Sequence, residues 1–147
     1  MEGVLVGSPL TADAIELRPE LDKELRYLIF LSGNCASCAE LAPRLDQVPE
    51  PERLIVLVAG SNERANRRVA ERIPIRIETI IEPEAGKLAT SFQIHSTPQA
   101  LQTENGIVTG KAAIRSLDDL RRFIAAYETS DAREIAITAR EAAANAG

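Results

Sequence analysis

Tyr27-Leu28-Ile29-Phe30-Leu31-Ser32-Gly33-Asn34-Cys35-Ala36-Ser37-Cys38-Ala39-Glu40-Leu41-Ala42-Pro43 contains both cysteines of the chain, and its change of period decides the architecture. Tyr27 to Leu31 is an unbroken apolar run, the pattern of a strand buried on both faces of a helix-flanked sheet. Ser32-Gly33-Asn34 is turn chemistry. From Ala36 the spacing becomes helical, with Ala39, Leu41, Ala42 and Leu45 on or near one side. The cysteines therefore fall at the first turn of a helix. Unpaired N–H groups and the positive end of the helix dipole favour a thiolate there, lowering its pKa from about 8.5 toward neutrality or below. Cys35, nearer the helix end, is expected to be the more exposed nucleophile. Cys38 stands three residues on, beside it on a helix surface, and can attack a mixed disulfide formed at Cys35.

Three plainer uses of the pair compete with this redox couple. A closed zinc site normally takes four ligands, and the chain offers two cysteines and one histidine, so no metal site is expected. A structural disulfide closing so short a loop would restrict the unfolded chain little. Two core cysteines would need neither the turn nor the helix start. The strand before and the helix after favour the redox couple.

At 147 residues and 45% hydrophobic, the chain is long and apolar enough for one domain with a real core. Its net charge of -5 argues against a nucleic-acid partner or an anionic membrane surface. No apolar run has the length of a membrane span and no signal-peptide pattern opens the chain, so no membrane contact by the chain itself is expected. The cysteine pair does not report the compartment.

Upstream, Val4 to Val6 and Ala14 to Leu17 around Gly7-Ser8-Pro9 read as two short strands, a hairpin on the edge of the main sheet. Downstream, Pro49 and Pro51 mark a loop before the apolar strand Leu54 to Ala59, which completes a parallel βαβ unit. Ser61 or Asn62 caps a helix to about Ile73, with Ala65, Val69 and Ile73 inward. Arg64, Arg67, Arg68 and Arg72, interleaved with Glu63 and Glu71, read as its solvated face. Ile75 to Ile81 is expected as a third strand, its alternation placing Ile75, Ile77, Thr79 and Ile81 on one face against Arg76 and Glu78, which suggests an exposed face or an edge. Glu84 to about Phe92 is a short helix. Gln99 to Thr103 and Ile107 to Ala113 form a hairpin around Asn105-Gly106. Ser116 caps a last helix whose Leu117, Leu120, Phe123, Ile124 and Tyr127 face inward. Residues after Glu128 are read as a helical or frayed tail.

Laid out this way, Leu25 to Tyr127 resembles the thioredoxin fold. Pro43 follows Cys38 where thioredoxins carry the proline that kinks the active-site helix. Leu88 to Pro98 is similar to the segment ending in the family's cis-proline, and Asn105-Gly106 follows at the family's spacing. The added helix and strand, Ser61 to Ile81, resemble the membrane-tethered, extracytoplasmic TlpA type, near its methylamine dehydrogenase maturation (MauD-like) branch. The resemblance implies one α/β domain over 1–147: a core of about 25–127 with a central mixed sheet and helices on both faces, an N-terminal strand or hairpin extension over 1–24, and a tail over 128–147.

The implied activity is thiol-disulfide exchange with protein cysteines, as a reductant. Cys35 attacks and Cys38 resolves. Thr97 and Pro98 bind the substrate chain, and Asn34, Ala36, Ser37 and Pro43 support the site. The Thr97-Pro98 bond is expected to be cis, with its loop facing Cys35. Beyond the Cys35–Cys38 disulfide no cofactor is implied. The partners are a cysteine-containing protein and a reductase or membrane electron donor, with the chain itself a monomer. Relatives of this type usually carry an N-terminal anchor, and no such segment is expected within these 147 residues. An extracytoplasmic, membrane-tethered protein is implied if an anchor belongs to it, and a cytoplasmic one otherwise.

Four departures bear on rate and potential: Asn34 replaces the family's tryptophan, Ile29 its buried aspartate, Ala36-Ser37 its Gly-Pro, and Gln93 a common glycine. Two other classes compete with the oxidoreductase: a redox-gated binding or chaperone module that does not turn over, and a thiol peroxidase on a related fold. His95, the one histidine, reads as a loop residue near the site.

Overall fold

The structure, a computed structural model, describes residues 5–126. In chain order its elements are α1 (Ala12–Leu17), β1 (Arg26–Leu31), α2 (Ala36–Leu41), β2 (Leu54–Val58), α3 (Glu63–Arg72), β3 (Glu78–Ile80), α4 (Glu84–Ser91), β4 (Gln99–Glu104), β5 (Ile107–Ala113) and α5 (Leu117–Ala126), with short 3-10 turns between some of them. The strands form one mixed sheet in the order β3-β2-β1-β4-β5. β1 lies at its centre, parallel to β2 with Tyr27 opposite Leu54, and antiparallel to β4 with Ile29 opposite Ala100.

The unbroken apolar run of β1 has a direct cause: both faces of the sheet are covered. Tyr27, Ile29 and Leu31 pack with Leu54, Val56 and Val58 against Leu41 of α2, Val69 of α3 and Leu120 and Ile124 of α5. The alternate residues, Leu28 and Phe30, pack with Ile55 and Leu57 against Ala14 of α1 and Leu88 of α4. Each such side chain contributes about 1.5–3 kcal/mol when fully buried, so these two layers outweigh any single polar contact in the fold.

Three sequence expectations are met by clear local chemistry. Asn62 caps α3, its side chain accepting the Ala65 N–H at 3.0 Å. Asn105 and Gly106 both have positive φ, 55° and 75°, as a tight hairpin turn requires. Ser116 accepts the Asp119 N–H at 3.2 Å at the start of α5. Tyr127 and the tail over 128–147 lie outside the described residues.

Two expectations need correction. The N-terminal hairpin is not formed: Ala12–Leu17 is a helix, capped by Thr11, whose Oγ1 accepts the Ala14 N–H at 3.2 Å. An amphipathic run this short fits either period, and the cap together with burial of Ala14 under the sheet selects the helix. The sheet-edge placement holds only for the residues before it. Gly7 N–H donates to Val108 O at 2.7 Å and Val108 N–H to Ser8 O at 2.9 Å, and Pro9 bridges Ile107.

The second correction concerns β3, which spans only Glu78–Ile80. A turn closed by Ile77 N–H on Pro74 O at 2.9 Å resets the phase before the strand begins. Ile77 and Ile80 are buried, while Ile75 and Ile81 are exposed, so the four expected residues do not share a face.

Candidate active site

The sulfur pair sits where β1 ends. The chain leaves the sheet at Ser32, turns through Gly33 and Asn34, and enters α2 with Cys35 as its N-cap residue (φ -137°, ψ 110°). That position usually belongs to a Ser, Thr, Asp or Asn oxygen, and here the sulfur takes its place: Cys35 Sγ accepts the Cys38 N–H at 3.2 Å. An N–H of the open helix end is thus aimed at Cys35. The two cysteines are joined as a disulfide with Cα atoms 5.1 Å apart. Cys38 is 0% exposed within the core layer that contains Ile29, whereas Cys35 is half-buried. Cys38 Sγ accepts the Ser32 N–H at 3.4 Å. With Ile29 itself fully buried, no ionisable side chain occupies that position.

The Thr97-Pro98 loop lies across from Cys35. The bond is cis, as is Glu82-Pro83, which the sequence did not suggest. Thr97 O is 3.7 Å from Cys35 Sγ, and the Thr97 and Ser32 hydroxyls are hydrogen-bonded at 2.8 Å, tying this loop to the turn before the cysteines. Pro98 directly precedes β4, and its carbonyl accepts the Ile114 N–H at 3.1 Å.

The expected supporting residues are placed as follows. Asn34 and Ala36 are exposed beside Cys35. Ser37 is half-buried and opens onto a small cleft shared with Glu40, Arg44 and Arg115. Pro43 stands where α2 passes into a 3-10 turn over Ala42–Gln47. Its missing N–H and its ring end the α-helical bonding there. His95 is exposed and lines a shallow cavity with Gln93, Ser96, Gln99 and Lys111, two residues from Thr97. Gln93 has φ 55°, in the left-handed region where glycine is at ease, and it closes α4 with Gln93 N–H on Thr90 O and Ile94 N–H on Ala89 O.

A cavity of about 830 Å³ lies between α1 and α4, with Asp13, Glu16, Glu82 and Lys87 in its wall and neither cysteine nor Thr97 in it. Among the described residues no group of three or more His, Cys, Asp or Glu could hold a metal ion, and no helix is long and apolar enough to cross a membrane.

Asn66 was not singled out by the sequence reading. It is 5% exposed, its Oδ1 accepts the Gly33 N–H at 2.9 Å and its Nδ2 donates to Gly60 O at 2.8 Å. A signal did exist: Asn66 interrupts the apolar stripe of α3, three residues before Val69 and seven before Ile73.

No protein-family model and no curated protein matches the chain. Among solved structures, MTB DsbF in its mixed oxidized and reduced forms aligns with a TM-score of 0.59 at 20% identity, covering 74% of this chain and 83% of that one. A secreted Mycobacterium tuberculosis disulfide oxidoreductase homologous to E. coli DsbE gives 0.59 at 17% identity, covering 74% and 85%. The thioredoxin domain of a thiol-disulfide oxidoreductase from Bacteroides vulgatus gives 0.58 at 14% identity, covering 75% and 83%. Likeness at such identities establishes the fold. The mixed five-stranded sheet with helices on both faces is a thioredoxin fold.

Proposed function

We propose that the protein is a thiol-disulfide oxidoreductase that reduces disulfides of a protein substrate. The observation that carries this reading is the asymmetry of the sulfur pair: Cys35 is half-buried, caps α2 and faces Thr97, while Cys38 is fully buried behind it. In the reduced protein, Cys35 thiolate attacks one sulfur of the substrate disulfide. A Cys35–substrate bond forms, and the other substrate sulfur leaves as thiolate. Cys38 thiolate then attacks Cys35 Sγ, the mixed disulfide breaks, and the second substrate sulfur leaves with the electron pair. The products are a substrate dithiol and the Cys35–Cys38 disulfide. Two electrons from a reductase or membrane donor restore the dithiol. Thr97 holds the substrate chain in extended form through its backbone N–H and C=O, and Pro98, having no N–H, keeps the loop from closing on itself. Asn34, Ala36, Ser37 and Pro43 shape the rim and the helix entry.

Within the thioredoxin fold, the α3–β3 insertion supports the TlpA type, and the branch near methylamine dehydrogenase maturation is part of the proposal. The test is turnover of a disulfide-bonded protein with dithiothreitol as donor. Catalysis that disappears in Cys35→Ser is the expected result. Stoichiometric binding without turnover would favour a redox-gated binding module, and consumption of peroxide in place of the disulfide would favour a peroxidase.

A further inference from the structure

Asn66 takes no part in the exchange steps, yet its amide joins the two loops that leave the central parallel strands. Gly33 follows β1 and Gly60 follows β2, and Asn66 is bonded to both. A buried amide satisfied at both ends has one orientation, so it fixes the peptide groups it touches. The contact is also close. A Cβ at Gly33 would lie 2.6 Å from Ala65 Cβ, and one at Gly60 would lie 3.0 Å from Asn66 Oδ1. The Ser32-Gly33 turn is therefore pressed onto the backbone of α3 and held there by one side chain.

That turn presents the Ser32 N–H to Cys38 Sγ at 3.4 Å. Cys38 belongs to a core layer made mainly of apolar groups, among them Ile29 from β1, Val69 from α3, Leu120 from α5 and Leu45 from the 3-10 turn, with Tyr27 of β1 its titratable member besides the cysteines. The charged groups on neighbouring segments, Glu40, Arg44 and Arg115, are exposed. Burial in such surroundings disfavours a thiolate, and a hydrogen bond donated to the sulfur favours it. With the apolar Ile29 in that layer, the Ser32 N–H is the donor placed on the resolving sulfur.

We propose that Asn66 is a positioning residue for the resolving cysteine: by holding Gly33 it keeps the Ser32 N–H aimed at Cys38 Sγ and eases formation of the Cys38 thiolate. The proposal rests on the oxidoreductase reading for its use in turnover. There, Cys38 gives its proton to water, attacks Cys35 Sγ, and releases the substrate sulfur as thiolate with the bonding electron pair.

The test titrates the Cys38 thiolate by its ultraviolet absorbance in Cys35→Ser, with and without Asn66→Ala. Losing a hydrogen bond to a charged group should raise the Cys38 pKa by about one pH unit, a tenfold drop in thiolate at neutral pH. The Cys35 pKa, read in Cys38→Ser, should not move with Asn66→Ala. Leu88→Ala, in the core layer on the other face of the sheet, weakens packing without touching the turn or the layer that holds Cys38 and should leave the Cys38 pKa in place. An unchanged Cys38 pKa in Asn66→Ala, or an equal shift in Leu88→Ala, overturns the proposal. Should Asn66→Ala fail to fold, the Ser32 amide proton in Cys35→Ser decides the matter: it should shift downfield along the Cys38 titration, and an amide indifferent to that titration overturns the proposal. None of these readings needs a substrate. Failure of all disulfide turnover with these shifts present would sink the oxidoreductase reading and leave the role of Asn66 standing.

Discussion

Adding one methyl group at Gly33 should destabilise the protein by about 2–4 kcal/mol, and the magnitude follows from the contact it would make. The new Cβ would stand 2.6 Å from Ala65 Cβ and meet the backbone nitrogen of Asn66, against an ordinary carbon–carbon separation of about 3.5–4.0 Å. The obstacle is the backbone of α3, which is anchored in the core by Val69 and Ile73 and has no flexible end to swing aside. Overpacking of this kind costs about 1–3 kcal/mol. Relief by lifting the turn would break the Gly33 N–H bond to Asn66 and strand a buried acceptor, a loss of about 1–3 kcal/mol. The two costs are alternatives in part, so they do not simply add. A Gly→Ala change without strain works in the opposite direction, stabilising by about 0.4–1 kcal/mol, so the sign alone is informative. Urea unfolding followed by circular dichroism measures it as a lowered midpoint at unchanged slope. Gly33→Ala with wild-type or higher stability would refute the account of the turn as seated on α3.

Other outcomes follow from the same geometry. Cys35 should be alkylated well before Cys38 in the reduced protein at neutral pH, because it is the more exposed and caps the helix; timed alkylation with peptide mapping reads this, and equal rates would contradict it. Gln93→Gly should raise stability by up to about 1 kcal/mol, since the residue holds φ 55° at the close of α4; a loss in thermal unfolding would show that its side chain matters more than its backbone. The Arg115 backbone N–H, aided by the Arg115 guanidinium, holds the Asp119 carboxyl below its ordinary range. A lowered pKa gives stability that is fully present above the unfolded value of about 3.9 and is lost as pH falls through the folded value. Asp119→Asn should therefore lose less stability than the wild type on acidification below about pH 4, and parallel acid limbs would contradict this.

The central elements were legible because their patterns have one physical cause each. Tyr27–Leu31 and Leu54–Val58 are apolar throughout because both faces of the sheet are covered. Asn105-Gly106 turns because both residues tolerate positive φ. Ala14 to Leu17 reads as a strand because so short a run does not separate a period of two from one of 3.6, and the Thr11 cap and burial under the sheet decide for the helix Ala12–Leu17. The Ile75–Ile81 alternation fails for a tertiary reason: the turn at Pro74 to Ile77 shifts the phase, so that Ile80 is buried and Ile81 exposed. Cys35, Cys38, Thr97 and Pro98, which spacing and resemblance single out, lie together in the structure. Asn66 lies thirty-odd residues away in sequence, and its role depends on how two loops meet, which no local pattern encodes.

The claim that Cys35 opens the exchange and Cys38 closes it is tested most directly by trapping. Reduced Cys38→Ala and reduced Cys35→Ala are each mixed with a disulfide-bonded protein, and the adducts are mapped by mass spectrometry. The account predicts a stable mixed disulfide at Cys35 in the first variant and none at Cys38 in the second, in keeping with a half-buried Cys35 and a Cys38 that is 0% exposed. Adducts at Cys38, or at neither cysteine, would contradict it.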